Sequence, residues 1–226
     1  MNLKPKQLEF IYKSDCVYTS CYCEENVWKL VEKVQKESVD DLSGYYVVFV
    51  SNNIKAVPLW KQAASTKEDG FVLWDYHVFL IYDSGQFSHE IENNSWVFDL
   101  DSQLSFPCTF SNYVKETFKS DDNIKPEFHR FFRVVKSSDY LKYFASDRHH
   151  MKNQNGLWIK PPPDYEPIFT NESMHNLPEY INMSNVNEEL PHFGTIYNLS
   201  KFCDRFLKPQ ANAYQLDDHL LEPNWM

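Results

Sequence analysis

The sequence predicts one α+β domain. After Cys23, residues Val27, Leu30, Val31 and Val34 recur at the spacing of one helical face. Two β-rich runs follow, residues 45–51 and 72–82, dense in Val, Tyr, Phe and Ile. Short helical and strand-like segments then alternate as far as residue 206, with no internal repeat and no clear linker. The chain has 226 residues, 42% apolar and 16% aromatic, enough for a sizeable packed core.

Residues 1–15 read as an irregular lead. Residues 24–36 form the amphipathic helix. Residues 45–51 are a strand, and 55–62 its expected hairpin partner across Ser51-Asn52-Asn53, with Pro58 placing that partner at a sheet edge. A long strand is expected from Gly70 through Tyr82, stopped by Asp83-Ser84-Gly85. A polar loop at 89–94 leads to a strand at 95–100, which Phe106-Pro107-Cys108 breaks. Helices are expected at 111–118 and 137–144, and a strand at 131–135. Pro161-Pro162-Pro163 marks an exposed loop, and residues 164–193 are polar and weakly patterned. A last helix spans 199–206, with Asn198 as its cap. The folded unit is expected to span 1–208, and the acidic tail 209–226 to be loose.

Composition narrows the function. The net charge of −10 is opposed to a nucleic-acid partner, which calls for a basic face. Five glycines and no GxGxxG or GxxxxGK[ST] argue against a phosphate-cradling loop. No apolar run is long enough for a membrane span, and no signal peptide is read at the start. Five cysteines, an odd number with three of them clustered, point to reduced thiols in the cytosol or nucleus.

Three of those cysteines, Cys16, Cys21 and Cys23, fall within eight residues. Cys23 opens the helix, where unpaired N–H groups are expected to favour the thiolate, the form that attacks carbonyl carbon. The other four cysteines, Cys108 and Cys203 among them, read as small apolar residues. A metal site built on Cys16, Cys21 and Cys23 fits the spacing of structural zinc pairs poorly. In the run Val72–Tyr82, alternation puts Asp75, His77, Phe79 and Ile81 on one face of an apolar strand. An antiparallel return centred near residue 88 would set Asp99 opposite His77 and Val97 opposite Phe79. Paired Cβ atoms lie about 5 Å apart, which suits a carboxylate that orients an imidazole. A slip of two would substitute Asp101. Cysteine, histidine and aspartate in this order resemble the layout of papain-like and transglutaminase-like thiol hydrolases.

Two motifs are more specific: Cys21-Tyr22-Cys23-Glu24-Glu25-Asn26 and Trp74-Asp75-Tyr76-His77-Val78. With Asp99-Leu100-Asp101, Phe106-Pro107-Cys108 and Ala145-Ser146-Asp147-Arg148, they closely resemble the protein N-terminal glutamine amidohydrolase family. The likeness runs from about residue 16 to 163 and returns around 197–206. It implies hydrolytic deamidation of N-terminal glutamine to glutamate, feeding the arginylation branch of N-terminus-dependent protein degradation. It places the nucleophile on Cys23, the histidine on His77 and the aspartate on Asp99. It implies an α-β-α sandwich akin to papain and transglutaminases, around a mostly antiparallel sheet. No cofactor and no metal are expected. The expected partners are proteins or peptides with a free N-terminal glutamine, met by a monomer. Glu24, Glu25 and Asp75 are the candidate acceptors for the substrate's α-ammonium. A transglutaminase-like enzyme or a peptidase with the same triad is the alternative.

Overall fold

In the computed structural model the described residues are 8, 11–38, 41–85, 95–184 and 189–207. The expected loop at 89–94 and the tail 209–226 lie outside them. Nine strands and five α-helices are described. Helix α1 (Cys23–Glu37) leads to β1 (Tyr45–Ser51), β2 (Val57–Leu59), β3 (Val72–Trp74), β4 (His77–Asp83), β5 (Ser95–Phe98) and β6 (Cys108–Thr109). Then come α2 (Phe110–Tyr113) with a π-helical turn at Val114–Phe118, β7 (Phe131–Lys136) and α3 (Ser137–Tyr143). The chain continues through α4 (Leu177–Ile181), β8 (Glu189–Leu190) and β9 (Gly194–Asn198) to α5 (Leu199–Phe206).

Seven strands make one sheet in the order β6-β5-β4-β1-β7-β9-β8, with every neighbouring pair antiparallel. Strand β1 is its centre. Its run of Val and Phe is buried on both faces, and alternate residues serve two different cores. Val47 and Phe49 pack with Val27, Leu30, Val31 and Val34 of α1, Tyr140 of α3 and Tyr180 of α4. Val48 and Val50 pack on the other side with Phe110, Phe118, Phe132, and Phe202 and Phe206 of α5. The result is three layers, helices over both faces of an antiparallel sheet. Each fully buried Val or Leu of α1 contributes roughly 1.5–3 kcal/mol, so helix and sheet are held mainly by this face. On the second face the Phe132 and Phe202 rings stack with centroids 4.2 Å apart. Asn198 caps α5 as expected, accepting from the Lys201 N–H at 3.0 Å.

Several expectations are corrected. The segment around Pro58 does not pair with β1. It forms a separate two-stranded sheet in which Pro58 faces Leu73. β1 instead pairs with β4 and β7. The long strand is broken at Asp75-Tyr76. Its first part, β3, joins β2, and its second, β4, joins the main sheet. The β4–β5 register is shifted by two, with Val97 opposite Ile81 and Phe98 opposite Leu80. Strand β5 therefore ends at Phe98, before Asp99. Helix α4 and strand β9 lie in or beside the weakly patterned 164–193 stretch. α4 has only five residues, too few to show a period. Strand β9 needs glycine at its start: Gly194 has φ +66°, and an added Cβ would sit 2.0 Å from the Val134 carbonyl oxygen.

Candidate active site

The chain enters α1 through a tight bend. Cys21 has φ 70°, a left-handed conformation uncommon for a side chain other than glycine, asparagine or aspartate. The buried Asn26 amide fixes this bend. It donates to the Thr19 carbonyl and accepts from the Thr19 N–H, both at 2.8 Å. Cys23 is thereby held at the first turn of α1, beside Tyr76 and Val78. The Val78 backbone N–H reaches the sulfur, so the thiol lies against the residue that follows His77.

His77 is fully buried at the start of β4. Its Nε2 lies 3.0 Å from Asp99 Oδ1, while its Nδ1 makes no hydrogen bond. The ring of Trp74 stacks on the imidazole, with centroids 5.4 Å apart at 18°. Asp99 also accepts from the Tyr113 hydroxyl at 2.7 Å and the Asp101 N–H at 2.9 Å. The register shift alone would have moved Asp99 away from His77. The chain instead turns out of β5 at that point, and the turn brings the carboxylate back to the imidazole. Asp101 is a neighbour rather than a substitute: its carboxylate accepts from Tyr18 Oη at 2.6 Å.

Electrostatics divide these groups. Burial pushes the His77 pKa down, but Asp99, with Asp101 and Asp75 behind it, outweighs burial and the net direction is up. Burial pushes Asp99 up, yet His77, Tyr113 and the Asp101 N–H together hold it below the usual carboxylate range. Cys23 goes against the expectation for a helix start. Burial, then Glu24 and Asp101, push its thiol well above the ordinary value despite the Val78 N–H. The sulfur is largely buried where the cleft meets the core rather than at an open helix end, and it faces carboxylates. Without substrate it is a thiol, donating to Glu24 Oε2 at 3.7 Å.

These residues border a cleft of about 760 Å³. Cys23, Tyr76, Asp75 and Asp101 line it, facing an apolar wall that includes Leu177, Ile181 and Met183. Arg133, buried in β7, donates to the carbonyls of Tyr180, Asn182 and Phe193 and so pins that wall to the sheet.

The three carboxylates proposed for the α-ammonium separate clearly. Asp75 is exposed and lines the cleft. One oxygen accepts from the Tyr76 N–H at 2.9 Å. Glu24 is buried behind the cleft, accepting from the Tyr76 hydroxyl at 2.9 Å. Glu25 does not face the cleft. Arg148 takes both its oxygens, Nε to Oε1 at 2.9 Å and Nη2 to Oε2 at 2.8 Å, and both side chains are buried. Arg148 also donates to the carbonyls of Pro163, Tyr165 and Glu166, tying the loop beside the cleft to α1.

Glu25→Ala therefore leaves a buried guanidinium without its anion. The expected loss is about 3–5 kcal/mol, a melting point lower by roughly 10 °C for a domain of this size. Asp75→Ala, at an exposed residue, is expected to melt with the unaltered protein. Thermal unfolding of the two variants checks this, and equal melting points would remove the structural role of Glu25.

Sequence reasoning missed Tyr113, Tyr18 and His150. Tyr113 lies in a helix of one turn, too short for a pattern to reveal. His150 lines the cleft, and its Nε2 is 3.7 Å from Glu24 Oε1. Of the four cysteines set aside, Cys108 is buried and Cys16 and Cys203 half-buried, whereas Cys21 borders the cleft.

Comparison with known proteins shows the family. The N-terminal glutamine amidase family profile matches residues 18–206. The chain is 50% identical over 195 residues to the protein N-terminal glutamine amidohydrolase of Drosophila melanogaster, covering 86% of this chain and 90% of the relative. It is 48% identical over 203 residues to the Drosophila virilis protein of the same name, covering 89% and 94%. The profile begins ahead of Cys23 and ends at the last residue of α5, so Cys23, His77, Asp99 and both helical layers lie inside it, and the chain belongs to the N-terminal glutamine amidase family.

Proposed function

We propose that the protein hydrolyses the side-chain amide of N-terminal glutamine, releasing ammonia and leaving N-terminal glutamate, with Cys23 as nucleophile, His77 as acid and base, and Asp99 as the orienting carboxylate. The observation that carries the reading is the buried Asp99–His77 pair, whose second ring nitrogen has no hydrogen bond, beside a cysteine at the head of a helix on a cleft.

A carboxamide is a weak electrophile with a poor leaving group. Because Cys23 rests as a thiol, its proton must leave as the sulfur approaches Cδ of the glutamine. Neutral His77 takes it at Nδ1, the nitrogen with no partner. Asp99 holds the opposite nitrogen, fixing the tautomer and favouring the imidazolium that forms. N–H groups at the start of α1 stabilise the developing oxyanion in this reading. The imidazolium returns its proton to the departing nitrogen, since amide anion cannot leave. The thioester is then hydrolysed by a water that His77 deprotonates.

Asp75 is the α-ammonium acceptor in this reading, because it alone of the three candidates reaches the cleft. Glu24 supports the site from behind, and Glu25 has no part in binding. The reading also carries the finer expectations: a sandwich akin to papain and transglutaminases, a monomer, a role upstream of arginylation, and a reducing cytosolic or nuclear compartment. The last follows because Cys21 stands two residues from a nucleophile that must stay reduced.

The test is mass spectrometry and ammonia release on peptides that differ only at residue one. Gln-initiated peptide is expected to be converted with no amine acceptor present, which separates hydrolysis from transglutamination. N-acetylation removes a charge-assisted contact worth about 1.5–3 kcal/mol, so kcat/KM should fall by on the order of 10–100-fold. Asn-initiated peptide should be a poor substrate, because its amide falls about 1.5 Å short of the sulfur. Rapid turnover of acetylated peptide would remove Asp75 from this role, and no release from any Gln-initiated peptide would overturn the reading.

A further inference from the structure

Beside the cleft, on the side of Asp147, lies a second constellation that the deamidation chemistry does not use. Asp147, His149 and His175 present three donor atoms within 4.8 Å of one another. Asp147 Oδ1 lies 2.6 Å from His149 Nδ1 and 3.1 Å from His175 Nδ1. The His175 contact lacks the alignment of a hydrogen bond, although that nitrogen is buried. The His149 and His175 rings stand 4.2 Å apart.

The fold builds this arrangement rather than leaving it to side-chain chance. Arg148 has φ 64°, a left-handed turn, and sends its own side chain inward to Glu25 while its neighbours Asp147 and His149 meet outside. Asp147 Oδ1 also accepts from the His149 N–H at 3.0 Å, which fixes the carboxylate. His175 comes from a different segment, and Asn176 locks the two together. The Asn176 N–H donates to the Ala145 carbonyl at 3.0 Å, its Oδ1 accepts from the Ala145 N–H at 2.8 Å, and its Nδ2 donates to the Tyr143 carbonyl at 2.7 Å.

From this geometry we infer that Asp147, His149 and His175 form a binding site for a divalent transition ion, with Zn²⁺ the best-suited probe, whose occupancy regulates access to the cleft. Two imidazole nitrogens and one carboxylate oxygen are a borderline donor set suited to zinc, with a fourth position left for water. Zn–N and Zn–O bonds of about 2.0–2.2 Å put tetrahedral ligands about 3.3 Å apart. The Asp147–His175 separation therefore needs to open by about 0.2 Å and the Asp147–His149 separation by about 0.7 Å, and His149 is exposed enough to swing. His175 and His150 line the cleft, so the ion would add positive charge to its wall. A substrate that enters as an α-ammonium is then repelled before it reaches Cys23. The effect should appear in KM, with kcat little changed. This is regulation from the rim and is separate from the chemistry at Cys23, which needs no metal. The kinetic half of the inference rests on the deamidase reading, whereas the binding half does not.

The experiment uses the full chain, freed of metal and kept reduced. Zn²⁺ binding is measured by calorimetry, and Co²⁺ serves as the spectroscopic probe in the unaltered protein, His149→Ala and His175→Ala. The expected result is one tight equivalent, weakened at least about 10-fold in each variant, with a cobalt spectrum free of a thiolate charge-transfer band. One equivalent of Zn²⁺ should raise KM for a Gln-initiated peptide several-fold in the unaltered protein. His149→Ala, whose side chain does not line the cleft, should keep its metal-free kcat and lose that effect. Undiminished binding in the variants, no binding at all, or a thiolate band would overturn the site. A fall in kcat shared by His149→Ala would place the inhibitory zinc on Cys23 and overturn the regulation. Zinc binding without turnover of any Gln-initiated peptide would sink the deamidase reading and leave the site standing.

Discussion

Cys23→Ala is expected to abolish ammonia release while the protein keeps its melting point. The nucleophile's removal leaves only binding and oxyanion stabilisation, and losses on the order of 10⁴–10⁶ in kcat are expected by comparison with serine hydrolases stripped of theirs. The fold should tolerate the change. Alanine keeps the Cβ, the sulfur occupies the border of a cleft, and its one side-chain partner is a long contact to Glu24. Cys21→Ala is the matched control. It retains the Cβ in the left-handed turn and adds no strain beyond what Cys21 already carries. Its kcat should stay within a few-fold of the unaltered protein. The measurement is ammonia release with thermal unfolding of both variants. A dead Cys21→Ala beside an active Cys23→Ala would move the nucleophile and with it the whole mechanism.

Asp99→Asn should lose up to about 10⁴-fold in kcat, by analogy with the triad aspartate of serine proteases, and Asp101→Asn far less. Asp99 is bound on three sides, by His77, Tyr113 and the Asp101 N–H. An amide there no longer compels the imidazole to keep Nδ1 free of a proton, and it no longer stabilises the cation. Asp101 meets Tyr18 and faces the cleft, so its neutral variant should alter KM more than kcat. The pH profile separates the two further. Activity requires that His77 and Cys23 together not hold both protons, so the acid limb follows the imidazole. Asp99 raises the His77 pKa above its usual 6.5. In the unaltered protein kcat/KM should therefore fall as pH drops through a midpoint above 6.5. In Asp99→Asn, with the charge gone, that midpoint should move to lower pH. Equal losses in the two variants, or an acid limb that does not move, would mean that Asp99 is not the partner that matters.

The elements nearest the chemistry were the most legible in the sequence. The apolar stripe Val27, Leu30, Val31, Val34 specifies α1 because a helix face and a core face are the same thing there. The run at 45–51 is β1 to the residue, since its side chains are buried on both faces. The β4–β5 register was not legible, because it depends on a connection whose length sets the pairing and whose residues carry no periodic signal. Asp99 was still the correct partner of His77, for a reason alternation does not contain: β5 stops one residue earlier and the turn supplies the reach. The break at Asp75-Tyr76 was equally hidden. Strand propensity is continuous through Val72–Tyr82, and only the presence of β2 draws the first three residues away into a second sheet. The thiolate expected at Cys23 failed because a helix terminus acts strongly on an accessible group, and this sulfur is largely buried at the cleft border, among carboxylates. Glu25 shows the same limit. An acidic residue in a first turn suits the helix dipole, and nothing local reveals that Arg148 will close over it.

The sheet order has a consequence for when this protein comes into being during synthesis. Strand β1 emerges early, yet its two partners are residues 77–82 on one side and 131–136 on the other. Neither face of β1 is complete until β7 is available, and α4, which holds the far wall of the cleft, comes later still. Closing such distant segments costs chain entropy before any contact repays it, which puts the domain among the slower folders. The nascent chain therefore carries the Cys23 thiol unprotected through most of translation. The cleft beside this thiol is complete only when residues 150–184, which supply its far side, have folded.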